Sequence, residues 1–492
     1  MGVPRPSGDS HEDASPDVAL SFVIQGGSER AQALAITRAA ISRLRGDIEI
    51  LSDSAPPPSA DRWVVFLRAG DIPCERFPHE LAQITCFGIA EVVSFDLFHC
   101  KSGRVFPVLL PGANPSLLRA TDYLFDRVAL RSWLISPEVD RSRVRAHELV
   151  LAWLKGTSTL QARGRWRHVG QPILQAAIDV GDVEKRREVA LASGRTPSAL
   201  PCEAASIVVC TRDKGHLTRQ LVRGLLARPA DEVAEVVIVS NGTTNPYALA
   251  TLENLSQDPR VKILRRDTPF NFSRLCNEGA RATGAAGPLL FLNDDIAPVS
   301  EDWLRRLLAR LGEPDVAAVG PLLLYPDERV QHAGMYLGFQ GIAGHVLRGA
   351  QLPQEDYLFT AVAPREVSCL TGAVLLVRRE AFEALNGFDE QLGTYLQDVD
   401  LGLRLRRSGW INLFEPASVL IHMESTSIRT LRTSSGFSRQ RDAEYRRFVE
   451  RWGSALVNDP LHPSGFDIQD ESLHRLAGAG GFRPEMFRDA DV

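Results

Sequence analysis

Two acidic side chains stand where a buried strand is expected to end. Residues 288–292 form a continuous apolar run, as strands buried on both faces do, and Asn293, Asp294 and Asp295 follow directly. Open α/β sheets bind ligands beyond the carboxyl ends of their strands. Neighbouring carboxylates repel each other unless a cation lies between them, and a divalent metal that also binds phosphate oxygens meets that need. The alternative is a solvated turn before a helix over residues 303–311.

A second pair of acids begins a predicted helix at residues 396–410. Leu401 and Leu405 lie one turn apart, Asp398 and Asp400 stand at the start, and basic residues come near the end. This charge distribution complements the dipole of a helix. Both acids could simply cap the helix. Alternatively, one is a general base that takes the proton of an acceptor hydroxyl while a metal holds the leaving group.

An imidazole adds a third group of this kind. Residues 418–422 form a short apolar strand that ends in His422. A single histidine at a strand end is usually structural. Here it joins acidic groups at the ends of other predicted strands, and imidazole is a suitable ligand for manganese-like ions.

Two further predicted strands end in polar loops that a nucleotide could occupy. Residues 206–210 are followed by Thr211 and Asp213, and residues 236–239 by a turn-rich loop at 240–246. No GxGxxG motif follows a strand and no GKS or GKT phosphate loop is present, so dinucleotide binding has no support.

These motifs belong to an α/β chain whose two halves resemble each other. Short apolar strands alternate with amphipathic helical stretches, as in a largely parallel sheet. Four segments of the first half match four of the second in the same order, which favours a duplication into tandem domains. The matched pairs are 19–25 with 205–211, 48–54 with 236–242, 66–73 with 291–298, and 166–172 with 410–416.

Length and composition favour two folded domains. The chain has 492 residues, of which 44% are hydrophobic and 24% charged, and its net charge of -5 argues against a nucleic-acid partner. No apolar run reaches the roughly 18 residues of a membrane span. The seven cysteines form no CxxC pair, which favours a reducing cytoplasm. The predicted divisions are a disordered leader at 1–17, a first domain at 18–183, a linker at 184–203, a second domain at 204–463 and a tail at 464–492.

The second half resembles the family 2 glycosyltransferases of the GT-A fold over about residues 205–463. The matching segments are IVVCTRD, VSNGTTNP, FNFSRLCNEGA, FLNDD, VQHAGMYLGFQGIAGH, LTGAVLLVRR, NGFDE, QDVDLGLRLRRSGW and IHMES. The QHAG and AGH segments are similar to the subgroup that builds bacterial O-antigens and other surface polysaccharides.

The resemblance implies a role for each candidate residue. Asp295 would be the main ligand of a divalent metal, Mn²⁺ or Mg²⁺, His422 would be a further group on the metal side, and Asp398 would be the catalytic base. The residues expected at the donor are Thr211, Asp213, Asn241, Asn277 and Asp294. Those expected on the acceptor side are Thr371, Gly372 and Asp400. The family usually has Asp where Ser240 stands, so the nucleotide base of the donor stays open.

The first half resembles the same fold without its chemistry. Residues 68–71 (RAGD) stand where the second half has residues 293–295, and residues 146–148 (AHE) stand where it has residues 398–400. An arginine beside the metal position and a missing base predict a degenerate GT-A domain. The alternative is that both halves are active, which would make the chain bifunctional.

The resemblance predicts an inverting glycosyltransferase that moves a sugar from a nucleotide-sugar donor to a glycan or lipid-linked acceptor. A non-catalytic glycan- or nucleotide-sugar-binding protein is the alternative, because fold does not fix function. Lipid-linked acceptors lie at the inner face of a bacterial membrane, so we expect a cytoplasmic protein with possible peripheral membrane association. The arginine-rich residues 429–451 are the candidate contact. A solvated helix with ion pairs is the alternative reading of that segment.

Overall fold

The computed structural model confirms an α/β protein, with one mixed sheet in each half of the chain. The described residues are 18–25, 31–51, 58–59, 61–86, 89–101, 104–141, 143–176, 178, 180–195, 203–423, 435–463, 465–473 and 475–476. The predicted leader lies outside them.

In the first half, eight described strands form one sheet with the order β2-β1-β3-β7-β5-β8-β4, and β6 pairs with β5. The strands are β1 Leu20–Gln25, β2 Ile48–Ile50, β3 Trp63–Arg68, β4 Ile72–Pro73, β5 Val92–Lys101, β6 Arg104–Val108, β7 Val128–Arg131 and β8 Trp166–Ala176. The helices are α1 Ala31–Ile41, α2 Phe77–Thr85, α3 Pro115–Ala120, α4 Ala146–Lys155, α5 Thr159–Arg165 and α6 Val180–Arg195.

In the second half, the main sheet has the order β11-β10-β9-β12-β19-β14-β20-β13, while β15 and β18 pair with β14 and β20, and β16 pairs with β17. The strands are β9 Ala205–Thr211, β10 Val233–Asn241, β11 Val261–Arg266, β12 Leu289–Asn293, β13 Ile296–Pro298, β14 Val316–Leu324, β15 Val330–His332, β16 Met335–Leu337, β17 Ala343–His345, β18 Arg365–Val367, β19 Val374–Val377 and β20 Ile411–His422. The helices are α7 Gly215–Leu226, α8 Pro246–Leu255, α9 Phe272–Ala282, α10 Trp303–Leu311, α11 Arg379–Ala384, α12 Gln397–Arg407 and α13 Ser435–Trp452. None of the described helices is long and apolar enough to cross a bilayer.

The two sheets share one strand order. The series β2-β1-β3-β7-β5-β8-β4 corresponds to β10-β9-β12-β19-β14-β20-β13. Each pair of neighbours runs parallel or antiparallel in the same way in both sheets. All four segment pairs matched in the sequence fall on strands that hold the same place in the two sheets.

Parts of the predicted linker and of the predicted tail pack into the two cores. Much of the predicted linker belongs to α6, where Ala190 is buried in the core of the first sheet and Arg186 is buried beside it. At the other end, Phe466 and Leu473 of the predicted tail are buried in the core of the second half.

Strand β12 lies in the middle of the second sheet, between β9 and β19. Its Leu289, Leu290 and Phe291 are fully buried, as the uninterrupted apolar run predicts for a strand covered on both faces. Helix α9 approaches this sheet closely, because a Cβ on Gly279 would lie 2.4 Å from Val208 of β9. Glycine is therefore required for this helix to cover the sheet.

The two halves are joined by buried polar contacts around β18. Arg163 of α5 donates from Nη2 to Glu366 Oε2 (2.6 Å) and from Nη1 to the carbonyl oxygen of Trp410 (3.2 Å). The side chain of Asn114 bonds both the N–H and the C=O of Glu366. Because the Glu366 side chain is 0% exposed, its charge depends on an arginine from the other half.

We expect Arg163→Met to lower the free energy of unfolding by about 3–5 kcal/mol, because it leaves a buried carboxylate without its cation. Chemical denaturation of the full chain measures this change. The double variant Arg163→Met/Glu366→Gln should recover most of it, since no buried charge remains. A loss below about 1 kcal/mol in the single variant would mean that this pair does not couple the halves.

Candidate functional site

Three neighbouring parallel strands, β10, β9 and β12, end at one edge of the second sheet. This edge carries Asn241, Thr211 and the acids that follow β12. Thr211 Oγ1 donates a hydrogen bond to Asp294 Oδ2 (2.8 Å). Thr211 and Asp294, both expected at the nucleotide-sugar donor, are therefore in direct contact.

Asp294 and Asp295 are almost completely buried, with 6% and 5% of their surfaces exposed. The ammonium group of Lys214 lies between them, with Nζ 3.1 Å from Asp294 Oδ1 and 3.3 Å from Asp295 Oδ2. Burial raises the pKa of Asp294, while Lys214 opposes this shift. The acid pair thus has a countercharge from the loop after β9.

His422 reaches the same acids from β20. The pairing of β13 with β20 sets Ile296 opposite His422, and His422 Nε2 lies 3.2 Å from Asp295 Oδ1. On the other side of the ring, Gln331 Oε1 lies 2.8 Å from Nδ1 and accepts its proton. Asn293 Nδ2 lies 3.4 Å from Nε2 as a donor. Gln331 thus orients the ring so that Nε2 faces Asp295, and Nε2 is the nitrogen that would bind a metal.

The chemistry of this donor set suits a divalent metal. Carboxylate oxygens and an oriented imidazole nitrogen are the ligands that Mn²⁺ takes in proteins. Within the described part of the chain, however, no three His, Cys, Asp or Glu side chains are arranged to hold an ion. Lys214 lies where positive charge is required, so a metal held by Asp294, Asp295 and His422 would take over the role of its ammonium group.

Asp398 lies in the first turn of α12, where two backbone amides hold its carboxylate. Gly372 N–H donates to Oδ2 (2.8 Å) and Val399 N–H to Oδ1 (2.9 Å). Burial raises the pKa of Asp398, and these amides oppose the shift. The residue as a whole is half-buried, and a base must stay within reach of its substrate.

One short loop connects this acid to the metal side. The N–H of Gly372 binds Asp398, and the next residue, Ala373, accepts a hydrogen bond from Asn293 N–H (2.9 Å). Thr371 begins the same loop and is partly exposed. The structure therefore places Asp398, Gly372 and the end of β12 side by side.

The loops after β9 and β10 are linked through Asp213. Its Oδ1 accepts the N–H groups of Thr244 (2.7 Å) and Asn245 (2.8 Å), which lower the pKa of this carboxyl group. Asn241 donates from Nδ2 to the carbonyl oxygen of Thr268 (2.9 Å). Both residues order the loops at the sheet edge where a nucleotide would lie.

Comparison with known proteins agrees with this architecture. The sequence model of Glycosyl transferase family 2 matches residues 206–385. Over 241 residues, the chain is 30% identical to the N-acetylglucosaminyl-diphospho-decaprenol L-rhamnosyltransferase of Mycobacterium tuberculosis (strain CDC 1551 / Oshkosh), covering 45% of this chain and 76% of that protein. The chain belongs to glycosyl transferase family 2.

Similarity to a second relative extends into the first half. The O-antigen biosynthesis protein RfbC of Myxococcus xanthus is 30% identical over 460 residues, covering 85% of this chain and 35% of that protein. The chain thus spans about a third of the length of this relative. Among solved structures, GalNAc-T7 with UDP, GalNAc and Mn²⁺ is 18% identical, with a TM-score of 0.42 over 52% of this chain and 50% of that chain.

Two of the expected site residues of this family 2 chain face inward. Asn277 of α9 pairs its amide with the N–H and C=O of Phe388, so it holds a turn in place. Asp400 is 0% exposed and binds Arg404, Arg451 and Trp452 through its two oxygens. Asp400 therefore joins helices α12 and α13 in the interior. This geometry gives no support to its expected position on the acceptor side.

Sequence reasoning missed two residues of the site. Lys214 directly follows Asp213 in the loop after β9. Its position beside a candidate site residue could have indicated from the sequence that it belongs to the site. Gln331 belongs to the QHAG segment, but only the structure shows that its amide orients His422. The contacts of both residues are made across the sheet, to acids 80 and 81 residues away for Lys214 and to a histidine 91 residues away for Gln331.

At the equivalent strand end in the first half, the charged side chains form ion pairs with each other. Arg68, the last residue of β3, donates to Asp126 (2.6 Å) and to Asp182 of α6 (2.8 Å). Nearby, Asp71 and Arg127 form a fully buried two-point pair with both distances at 2.8 Å. These charges are satisfied within the protein.

We expect Lys214→Met to lower the free energy of unfolding in EDTA by about 1–3 kcal/mol, because the buried acids lose their countercharge. Mn²⁺ should then raise the melting temperature more in this variant than in the wild type, because no ammonium group competes for the carboxylates. Thermal denaturation with and without MnCl₂ measures both effects. Lys262→Met, at an exposed position, is the control. Equal stability of Lys214→Met and wild type in EDTA would contradict the countercharge role.

Proposed function

We propose that the second half of the chain is a GT-A domain that transfers a sugar from a nucleotide-sugar donor to a glycan or lipid-linked acceptor in bacterial surface-polysaccharide synthesis. The carrying observation is the loop at 371–373, which connects an accessible, amide-held carboxylate with an acid pair suited to a metal. Family membership and the names of the two relatives support this proposal. The rhamnosyltransferase name also supports an acceptor built on a polyprenyl diphosphate.

The proposed reaction inverts the anomeric centre. Asp398 removes the proton of the acceptor hydroxyl while that oxygen attacks the anomeric carbon, and the bond to the nucleotide diphosphate breaks on the opposite face. A divalent metal held by Asp295, Asp294 and His422 would supply positive charge to the departing diphosphate when bound. Thr211, Asp213 and Asn241 shape the nucleotide side, with Asn277 supporting them from behind, and Thr371 and Gly372 lie towards the sugar and acceptor.

The raised pKa of Asp398 suits this role. A carboxylate with the ordinary pKa near 3.9 is a weak base, and a higher value brings proton affinity closer to the working pH. Because the base acts in its deprotonated form, turnover should fall as the pH drops through this raised pKa. A non-catalytic binding protein would show no turnover at any pH, so this pH dependence distinguishes the two proposals.

We propose that the first half is a degenerate copy of the same GT-A domain. The shared strand order and the matched segments support a duplication. The loss of chemistry is supported by Arg68, which stands at the equivalent strand end and is held by Asp126 and Asp182. An arginine there repels a metal ion and needs no ligand to balance it.

We propose that the protein works on the cytoplasmic side of the membrane and contacts the lipid surface peripherally. The predicted contact, residues 429–451, is described only from residue 435 onward. Arg447 and Arg451 form ion pairs with Asp389, so they are not available to lipid. The exposed arginines that remain among the described residues are Arg439, Arg441 and Arg446.

For the catalytic role, we expect Asp398→Asn to lower kcat by about 10²- to 10⁴-fold, the typical contribution of a general base. Binding of the donor should stay near normal. A panel of UDP-, GDP- and dTDP-linked sugars with MnCl₂, screened first by thermal shift, identifies the donor for the assay. Turnover of the variant within a few-fold of wild type would remove Asp398 from the mechanism.

A double variant of the site in the second half also tests the first half. Metal-dependent donor hydrolysis that survives in Asp398→Asn/Asp295→Asn would reveal a second active site and contradict the degenerate assignment. A wild-type protein that binds a nucleotide sugar but transfers it to no glycan or polyprenyl diphosphate acceptor would favour the binding-protein alternative.

For the membrane contact, we expect wild-type protein to co-sediment with anionic vesicles at low salt, since each basic residue near the surface contributes about 1 kcal/mol. Reversal of Arg439, Arg441 and Arg446 to Glu should abolish co-sedimentation. Reversal of the exposed Arg219 and Arg223 on α7 serves as the control. Unchanged binding of the triple variant would show that this segment is not the contact.

A further inference from the structure

Helix α13 packs directly against the segment that carries Asp398, although it comes about 40 residues later in the chain. Its Arg447 and Arg451 pair with Asp389, and Arg451 also reaches Asp400 with Nη1 (2.7 Å). Trp452 donates from Nε1 to the same Asp400 oxygen (2.9 Å). The helix therefore contacts the chain on both sides of Asp398.

A further contact is made by Glu444 in the middle of α13. Its Oε1 accepts the N–H of Gly393 (3.0 Å), and its Oε2 accepts the N–H (3.3 Å) and the hydroxyl (3.0 Å) of Thr394. Only 3% of Glu444 is exposed. A buried carboxylate with these donors fixes the backbone of the loop that leads into α12.

The loop needs such support because its last residue is in a disfavoured conformation. Leu396, two residues before Asp398, has φ +65°, the left-handed region that branched side chains rarely adopt. Its side chain shares a buried cluster with Val399 of α12 and with Phe448 and Trp452 of α13. Residues in such conformations persist only when their surroundings over-determine them.

We propose that α13 is a positioning element for the base and that Glu444 is its main positioning residue. Glu444 holds Gly393 and Thr394, this fixes the left-handed turn at Leu396, and the turn sets the direction in which Asp398 points. Within the described part of the chain, the hydrogen bonds of Glu444 go to Gly393, Thr394 and Gln440, all away from the metal-side acids. The inference rests on the proposed role of Asp398 as the base.

This arrangement gives a specific kinetic signature. Displacement of a reacting group by about 1 Å can reduce turnover by about 10²-fold. We therefore expect Glu444→Ala to lower kcat by about 10- to 100-fold while the KM for the donor and the affinity for Mn²⁺ change by less than about threefold. Glu444→Gln, which keeps one acceptor oxygen, should retain more turnover than Glu444→Ala.

The decisive experiment is a double-mutant cycle in the full chain. In an Asp398→Asn background there is no base to position, so Glu444→Ala should lower kcat no further. Glu450→Ala, an exposed acid on the same helix, is the matched control and should leave kcat unchanged. Mn²⁺ affinity is followed by electron paramagnetic resonance, and melting temperatures verify that each variant is folded.

Amide hydrogen exchange gives a second measurement that needs no substrate. Glu444→Ala should speed exchange in residues 393–399 and leave residues 211–214 and 293–295 unchanged. Additive losses of kcat in the cycle, a parallel loss of Mn²⁺ affinity, or unchanged exchange at 396–399 would each overturn the proposal. If wild type transfers no sugar from the donor panel, the proposed function fails, and the exchange experiment alone decides whether α13 holds the loop.

Discussion

The second half is organised around two carboxylates that are buried at the end of one strand. Asp294 and Asp295 follow β12, and almost none of their surface is exposed. Two such charges are stable there only if positive charge lies between them. The end of β9 meets this requirement with Lys214, and the end of β20 adds the imidazole of His422 beside Asp295. The mixed strand order that places these ends together is therefore what makes the acid pair possible.

The first half has the same strand order, but the charged side chains at its equivalent strand end pair with each other. At the equivalent strand end, Arg68 binds Asp126 and Asp182, and α6 supplies the second of these acids. A network whose charges are all satisfied inside the protein has no need for a ligand. The acid pair of the second half is balanced by a partly exposed lysine, which a metal would replace in the proposed function. The same strand order thus accommodates a strand end whose charges pair internally and a strand end that carries two neighbouring acids.

The halves also depend on each other mechanically. Glu366 in β18 is neutralised by Arg163 of the first half, and β18 pairs with β20, the strand that ends in His422. Leu109 of the first half lies in the core of the second. The first half therefore acts as part of the support for the site.

The sequence by itself determined the α/β class, the helix at Trp303–Leu311 and the acids at strand ends, because these follow from local periodicity and charge. The family resemblance added the candidate roles. Only the tertiary structure decided the rest. Asp398 and Asp400 are two residues apart and alike in sequence, yet one is accessible and the other is buried against Arg451. Lys214, Gln331 and Glu444 act through contacts made across 50 or more residues. Such contacts depend on how strands and helices pack, and local sequence does not encode that packing.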